Sequence, residues 1–174
     1  MMSSKEEIEK VKEFLEKEIP LDGRIVIIGI GNNQRQDDEA GLKVVENLMR
    51  DIQDIPDNYY LIEGIGPPQY YIHDINDWKP THLLMIDAAD LGLSPGSIRI
   101  IDKKFLSRSS LSSHALSKNT LLDFLISFNP ELKIFILGIQ AESIMIEGEM
   151  TKSVLSSVEE LTKVFKILFF KIQC

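Results

Sequence analysis

The run Ile25-Val26-Ile27-Ile28-Gly29-Ile30 contains no polar side chain. No other stretch limits the fold so tightly. A strand that is apolar on both sides must be covered on both faces, which is the situation of parallel sheets flanked by helices. The run leaves through Gly29 and Gly31 into a polar loop that ends on adjacent carboxylates, Asp37 and Asp38. A helical stripe follows, with Leu42, Val45, Leu48 and Met49 at the right spacing. The unit is therefore strand, loop, helix.

The same pattern recurs along the chain. Tyr59 to Ile62 predicts a second strand, ending at Glu63, Gly64 and Gly66, and Pro67 and Pro68 suit the start of a helix carrying Tyr71, Ile75 and Trp78. His82 to Ile86 predicts a third strand ending on Asp87. After the Pro95-Gly96 turn, Ser97 to Ile101 alternates as an edge strand that can pair antiparallel. A serine-rich loop, Ser107 to Ser113, then carries His114 towards a helix over Asn119 to Phe128. Lys133 to Gly138 reads as another buried strand and Gln140 to Glu149 as a polar loop. Thr151 can cap a last helix, with Val154, Leu155, Val158, Leu161, Phe165 and Leu168 on its apolar side.

Ahead of the first strand, Ser4-Lys5-Glu6-Glu7 has a capping-box pattern and Ile8, Val11, Phe14 and Leu15 follow at helical spacing. Pro20 and Asp22-Gly23 stop that helix. The expectation is one α/β domain over residues 1–174 with residues 1–20 as an N-terminal extension helix. Its architecture is a three-layer α/β/α sandwich. A twisted, mostly parallel five-stranded sheet with one antiparallel edge pairing is covered by helices on both faces.

Composition narrows the function classes. A chain of 174 residues that is 44% hydrophobic can bury a substantial core. Its net charge of −8 argues against nucleic acid and anionic membrane surfaces as partners, because both select clustered Lys and Arg. The only cysteine is Cys174, so no intrachain disulfide, zinc ribbon or CxxC pair can form. With no apolar leader and lysines interrupting the last apolar run, the chain reads as cytoplasmic, without membrane insertion.

Gly29-Ile30-Gly31 invites a dinucleotide reading. However, Gln34 stands where the third glycine of G-x-G-x-x-G belongs, and Asp37, Asp38 and Glu39 would repel a phosphate there. Acids in a first helical turn are ordinarily there for the helix, and Asp37 and Glu39 are read as serving the helix start and the loop's own hydrogen bonds. Asp38 differs because Asp87 follows another parallel strand and should emerge on the same sheet edge, where open α/β sheets collect their chemistry. From these two carboxylates alone the question stays open, since either could cap a helix or face solvent. His114 precedes a helix that can border the same crevice, whereas His73 and His82 read as exposed or satisfied by backbone. Asp, Asp and His form an oxygen and nitrogen donor set suited to a borderline divalent ion such as zinc or nickel.

The loop from Gly29-Ile30-Gly31-Asn32 to Asp37-Asp38-Glu39-Ala40-Gly41, the strand end Leu84-Met85-Ile86-Asp87-Ala88 with Pro95-Gly96 after it, and His114 before a helix resemble the hydrogenase maturation endopeptidases. The likeness runs from about Arg24 to the final helix. DAADLGLSPGSIRIID and IFILGIQ are similar to the branch serving formate-hydrogenlyase-type hydrogenases. The resemblance implies removal of a C-terminal extension from the large-subunit precursor of a nickel-iron hydrogenase, once nickel is inserted. Asp38, Asp87 and His114 align with the family's metal-contacting and catalytic residues, and Asn32 and Gly64 would line the substrate cleft. The nickel is implied to arrive with the precursor, another divalent ion being able to take the site in isolation, and the protein to act as a monomer. Two alternatives from other classes are a non-enzymatic nickel-binding chaperone and a nucleotide-binding Rossmann-like enzyme. The chain departs from the family at Glu63-Gly64-Ile65-Gly66-Pro67-Pro68, where a Gly-Gly-Thr turn is common, and in the polar stretch Asn33-Gln34-Arg35-Gln36.

Overall fold

A computed structural model describes residues 4–101 and 115–173. In chain order the elements are α1 (Ser4–Glu18), β1 (Ile25–Gly31), α2 (Ala40–Asp51), β2 (Tyr59–Ile65), α3 (Ile72–Trp78), β3 (His82–Ala89), β4 (Ile98–Ile101), α4 (Ala115–Phe128), β5 (Lys133–Gln140) and α5 (Lys152–Gln173). Short 3-10 turns over Gln36–Glu39 and Pro68–Tyr71 lead into α2 and α3. The sheet order is β2-β1-β3-β5-β4, parallel throughout except for β4, which runs antiparallel to β5 at the edge. This is the expected three-layer arrangement.

Strand alternation divides the core in two. Ile25, Ile27, Leu84, Ile86 and Leu137 face α1, α2 and α5. Val26, Ile28, Met85 and Ile136 face the opposite way, onto Ile75 of α3 and Leu121, Leu122 and Leu125 of α4. Both sides of β1 are therefore dry, as its uninterrupted apolar run requires.

Several element ends differ from expectation. β2, β3 and β5 each run two to three residues further, so Glu63, Gly64 and Asp87 lie inside strands rather than just beyond them. α4 begins at Ala115 instead of Asn119. Met49 and Leu155, expected on apolar stripes, are exposed at the margins of those faces. His82 is buried where an exposed or backbone-satisfied ring was expected: its Nδ1 meets the Thr81 hydroxyl (2.8 Å) and its ring stacks near Phe135. Glu7, read as part of a capping box, instead turns inward. It pairs with Arg99 (2.9 Å) and accepts from the Ile98 N–H (3.2 Å), so α1 covers and satisfies part of the edge strand β4.

Candidate functional site

The sheet's carboxyl edge is built from the loop after β1. Asn32 Oδ1 accepts from the Gln34 N–H (2.9 Å), an Asx turn, while the Asn32 carbonyl accepts from the Arg35 N–H (3.1 Å). Gln36 takes a positive φ of 30° and opens the 3-10 turn. The Asp38 N–H donates to the Arg35 carbonyl (2.8 Å), and the Asn32 N–H returns to the Asp38 carbonyl (3.1 Å). The glycines make this closeness possible. A Cβ on Gly29 would strike the carbonyl of Gly41, one on Gly41 the carbonyls of Ile86 and Ile30, and one on Gly31 the carbonyl of Asp38. They thus let the start of α2 rest directly on the strands rather than cradle a phosphate. The turn lies against β1 and β3, with Asp38 only 2% exposed.

Asp87 reaches the same edge by alternation. It follows Leu83 and Met85 on the α4 side of β3, is paired in register with Gly138, and is 3% exposed. The C-terminal end of α4 is fixed at the opposite edge, where Asn129 Nδ2 donates to the Pro80 carbonyl (2.9 Å) just before β3. The 14-residue helix spans about 21 Å, so it runs back along the sheet to the carboxyl edge. His114 immediately precedes it in sequence and lies outside the described residues. Among the described residues no three His, Cys, Asp or Glu side chains converge as a metal site. Of the two residues expected to meet substrate, Asn32 is half-buried with its side-chain oxygen occupied by its own turn. Gly64 is buried inside β2, where a Cβ would come within 2.8 Å of the Gly29 carbonyl.

Asp37 has a role that was not legible as such. It is wholly buried at 0% exposure. Its Oδ2 accepts from the N–H groups of Glu142 (2.8 Å) and Ser143 (2.9 Å) and from the Thr151 hydroxyl (3.0 Å), and its Oδ1 from the Thr151 N–H (2.7 Å). Its own N–H donates to the Ser143 carbonyl (3.1 Å). A buried carboxylate is tolerated when donors replace its lost hydration, and here three amides and a hydroxyl do so. The expected helix-start role for Asp37 gives way to this clamp between the β1 loop and the loop before α5. Thr151, expected to cap α5 with its side chain, directs its hydroxyl to the clamp instead, although its carbonyl accepts from the Leu155 N–H (2.9 Å).

Beside the clamp is a polar cavity of about 270 Å3 lined by Asp90, Gln140, Ala141, Glu142, Ser143 and Ile144. Gln140 Oε1 accepts from the N–H groups of Leu91 (2.7 Å) and Leu93 (3.1 Å), holding the turn after β3. The edge therefore offers two buried carboxylates on adjoining elements within a rim of ordered polar loops. Such an arrangement can bind a cation and align a peptide beside it.

Comparison with known proteins bears on this arrangement. Residues 42–166 match the HycI family of hydrogenase maturation proteases, a span that holds Asp87 and begins shortly after Asp38. The hydrogenase 3 maturation protease of Escherichia coli K12 is 33% identical over 135 residues, covering 77% of this chain and 83% of its own. The solution structure of the endopeptidase HycI from Escherichia coli superposes with a TM-score of 0.69 at 29% identity, over 80% of this chain and 86% of that one. The NiFe hydrogenase maturation protease HycI from Thermococcus kodakarensis, 22% identical, shares the fold with a TM-score of 0.76 over 92% of this chain and 98% of that one. The chain belongs to the hydrogenase maturation proteases and is, like them, a hydrolase.

Proposed function

We propose that this protein is the endopeptidase that removes the C-terminal extension of a nickel-iron hydrogenase large-subunit precursor after nickel insertion. The nickel is part of the substrate and is recognised through Asp38, Asp87 and His114. The observation that carries the reading is the pair of buried carboxylates, Asp38 and Asp87, presented at one sheet edge by two adjoining elements. The neighbouring acid Asp37 is fully engaged by backbone and Thr151, which supports giving the ligand role to Asp38 rather than to Asp37.

In this mechanism the carboxylates and the imidazole complete the coordination of the nickel held by the precursor. That fixes the scissile peptide against the edge, where it is positioned for attack by water. A carboxylate beside a cation is a good ligand and a weakened base, so Asp38 and Asp87 act first as ligands and only secondarily in proton transfer. The lone cysteine suits a reducing compartment, in keeping with the proposed cytoplasmic location.

The test is incubation with nickel-loaded precursor, followed by intact-mass measurement of the large subunit. Wild type should shorten it, and Asp38→Ala, Asp87→Ala and His114→Ala should each fail while keeping the wild-type circular dichroism. Normal shortening by all three variants would overturn the ligand assignment. Stable binding by wild type without any shortening would make the protein a nickel-inspecting chaperone instead.

A further inference from the structure

The loop between β5 and α5 combines an exposed apolar tip with a firmly held backbone. Its tip carries Met145 at 71% and Ile146 at 73% exposure. Yet the backbone beneath that tip is firmly held. The Asp37 carboxylate grips Glu142, Ser143 and Thr151, the Glu147 N–H donates to the Gln34 carbonyl (3.1 Å), Arg35 Nε donates to the Ile144 carbonyl (3.3 Å), and the Ser143 hydroxyl donates to the Gln36 side chain. Ile144 and Met150, on either side of the tip, pack on the core. Glu147 and Gly148 turn the chain with φ of 65° and 112°, and a Cβ on Gly148 would press on the Gln36 side chain.

A loose loop could fold such residues away or let them move freely. Here the backbone ordering entropy is already met by the fold, so two large apolar side chains are carried out into water on a fixed backbone. That is the physical condition for a pre-organised contact. The loop also lies against residues 34–37, immediately before Asp38, so whatever covers Met145 and Ile146 sits beside the proposed nickel ligands. Glu142, Glu147 and Glu149 are exposed around the tip, which selects a partner of opposite charge.

We propose that the tip of this loop is a docking point for the polypeptide that brings the nickel. The partner would be a precursor segment placing aliphatic side chains on Met145 and Ile146, and lysine or arginine against Glu142, Glu147 and Glu149. The identity of the occupant rests on the proposed processing function; the pre-organised apolar tip does not. Because Asp37 holds both this loop and the turn bearing Asp38, docking and nickel contact share one rigid support.

The test compares wild type, the double variant Met145→Ser/Ile146→Ser and, as an exposed apolar site elsewhere, Phe170→Ser on α5. With nickel-loaded precursor, the double variant should raise KM roughly tenfold or more, with kcat changed far less, and Phe170→Ser should leave both as in wild type. Glu147→Lys/Glu149→Lys should also raise KM and reduce its sensitivity to salt. An unchanged KM in the double variant overturns the proposal. So does sedimentation showing that the double variant abolishes a wild-type dimer, since the occupant would then be a second copy. If wild type binds the precursor without cutting it, the processing function fails while the docking point is still decided by Kd in the same variants. If wild type neither binds nor cuts, both fall.

Discussion

The two ends of the sheet are made from similar residue types and put them to opposite uses. At the amino end, polar side chains close off backbone. Asn58 Nδ2 donates to the carbonyls of Leu21 and Gly23 (3.2 and 2.8 Å), and Asn129 Nδ2 to that of Pro80. Arg24 lies 4.6 Å over the Trp78 ring and donates to its carbonyl. This end also holds a roomy apolar cavity of about 340 Å3, lined by Ile75, Pro80, Leu125, Phe128 and Leu132 among others. At the carboxyl end a smaller polar cavity of about 270 Å3 lies near the buried Asp37, Asp38 and Asp87. Volume and chemistry are therefore separated. A buried carboxylate costs the fold far more than an unfilled apolar hollow, which supports the carboxyl end as the proposed working end.

The strongest challenge to this contrast is to remove charge at one end and bulk at the other. Asp38→Ala or Asp87→Ala should slow precursor cleavage by roughly 10^3-fold or more, as expected when a group contacting the reacting centre is lost. Phe128→Ala at the amino end should leave kcat/KM within about twofold, because it touches nothing at the carboxyl edge. The reverse result would move the active edge. Next in size is Asp37→Ala, which strands three part-buried N–H groups and a hydroxyl. A loss of about 3 kcal/mol is expected in urea unfolding, together with slower cleavage as the Asp38 turn loosens. Unchanged stability would show that water replaces the carboxylate and that the clamp is dispensable. Gly41→Ala should follow at about 1–3 kcal/mol, since its methyl group would meet the carbonyls of Ile86 and Ile30.

The sequence disclosed most of the fold because the signals were long and mutually consistent. Ile25 to Ile30 could only be a doubly covered strand, and the Pro95-Gly96 turn ahead of Ile98–Ile101 marked the antiparallel edge that β4 forms. Boundaries slipped where a polar residue follows the apolar run inside the ladder. Asp87 looked like a strand exit, yet it is held by register with Gly138. The site was only partly readable. Asp38 and Asp87 emerge at one edge as topology requires, but nothing local distinguishes Asp37 from Asp38. The groups that define Asp37 are amides more than 100 residues away. Likewise Glu7 matched a local capping pattern, and its partners Ile98 and Arg99 lie across the molecule. Periodicity reports which face is buried, not which distant backbone donor a carboxylate will find.

The smallest expected effect belongs to the amino end and tests whether it responds to pH independently of the carboxyl end. His82 starts β3, is buried, and has its pKa lowered from 6.5, first by burial and then by the nearby Lys133. The folded protein thus keeps the ring neutral at a pH where the unfolded chain has begun to protonate it. In that window the unfolded state binds more protons, so stability rises with pH. The full contribution is present above about 6.5 and is lost as the pH falls towards the lowered folded value. His82→Leu should therefore flatten the decline in Tm between pH 7 and pH 5, leaving cleavage at pH 7 unaltered. An undiminished decline in that variant would place the acid sensitivity at groups other than His82, and the amino end would not be separable by pH.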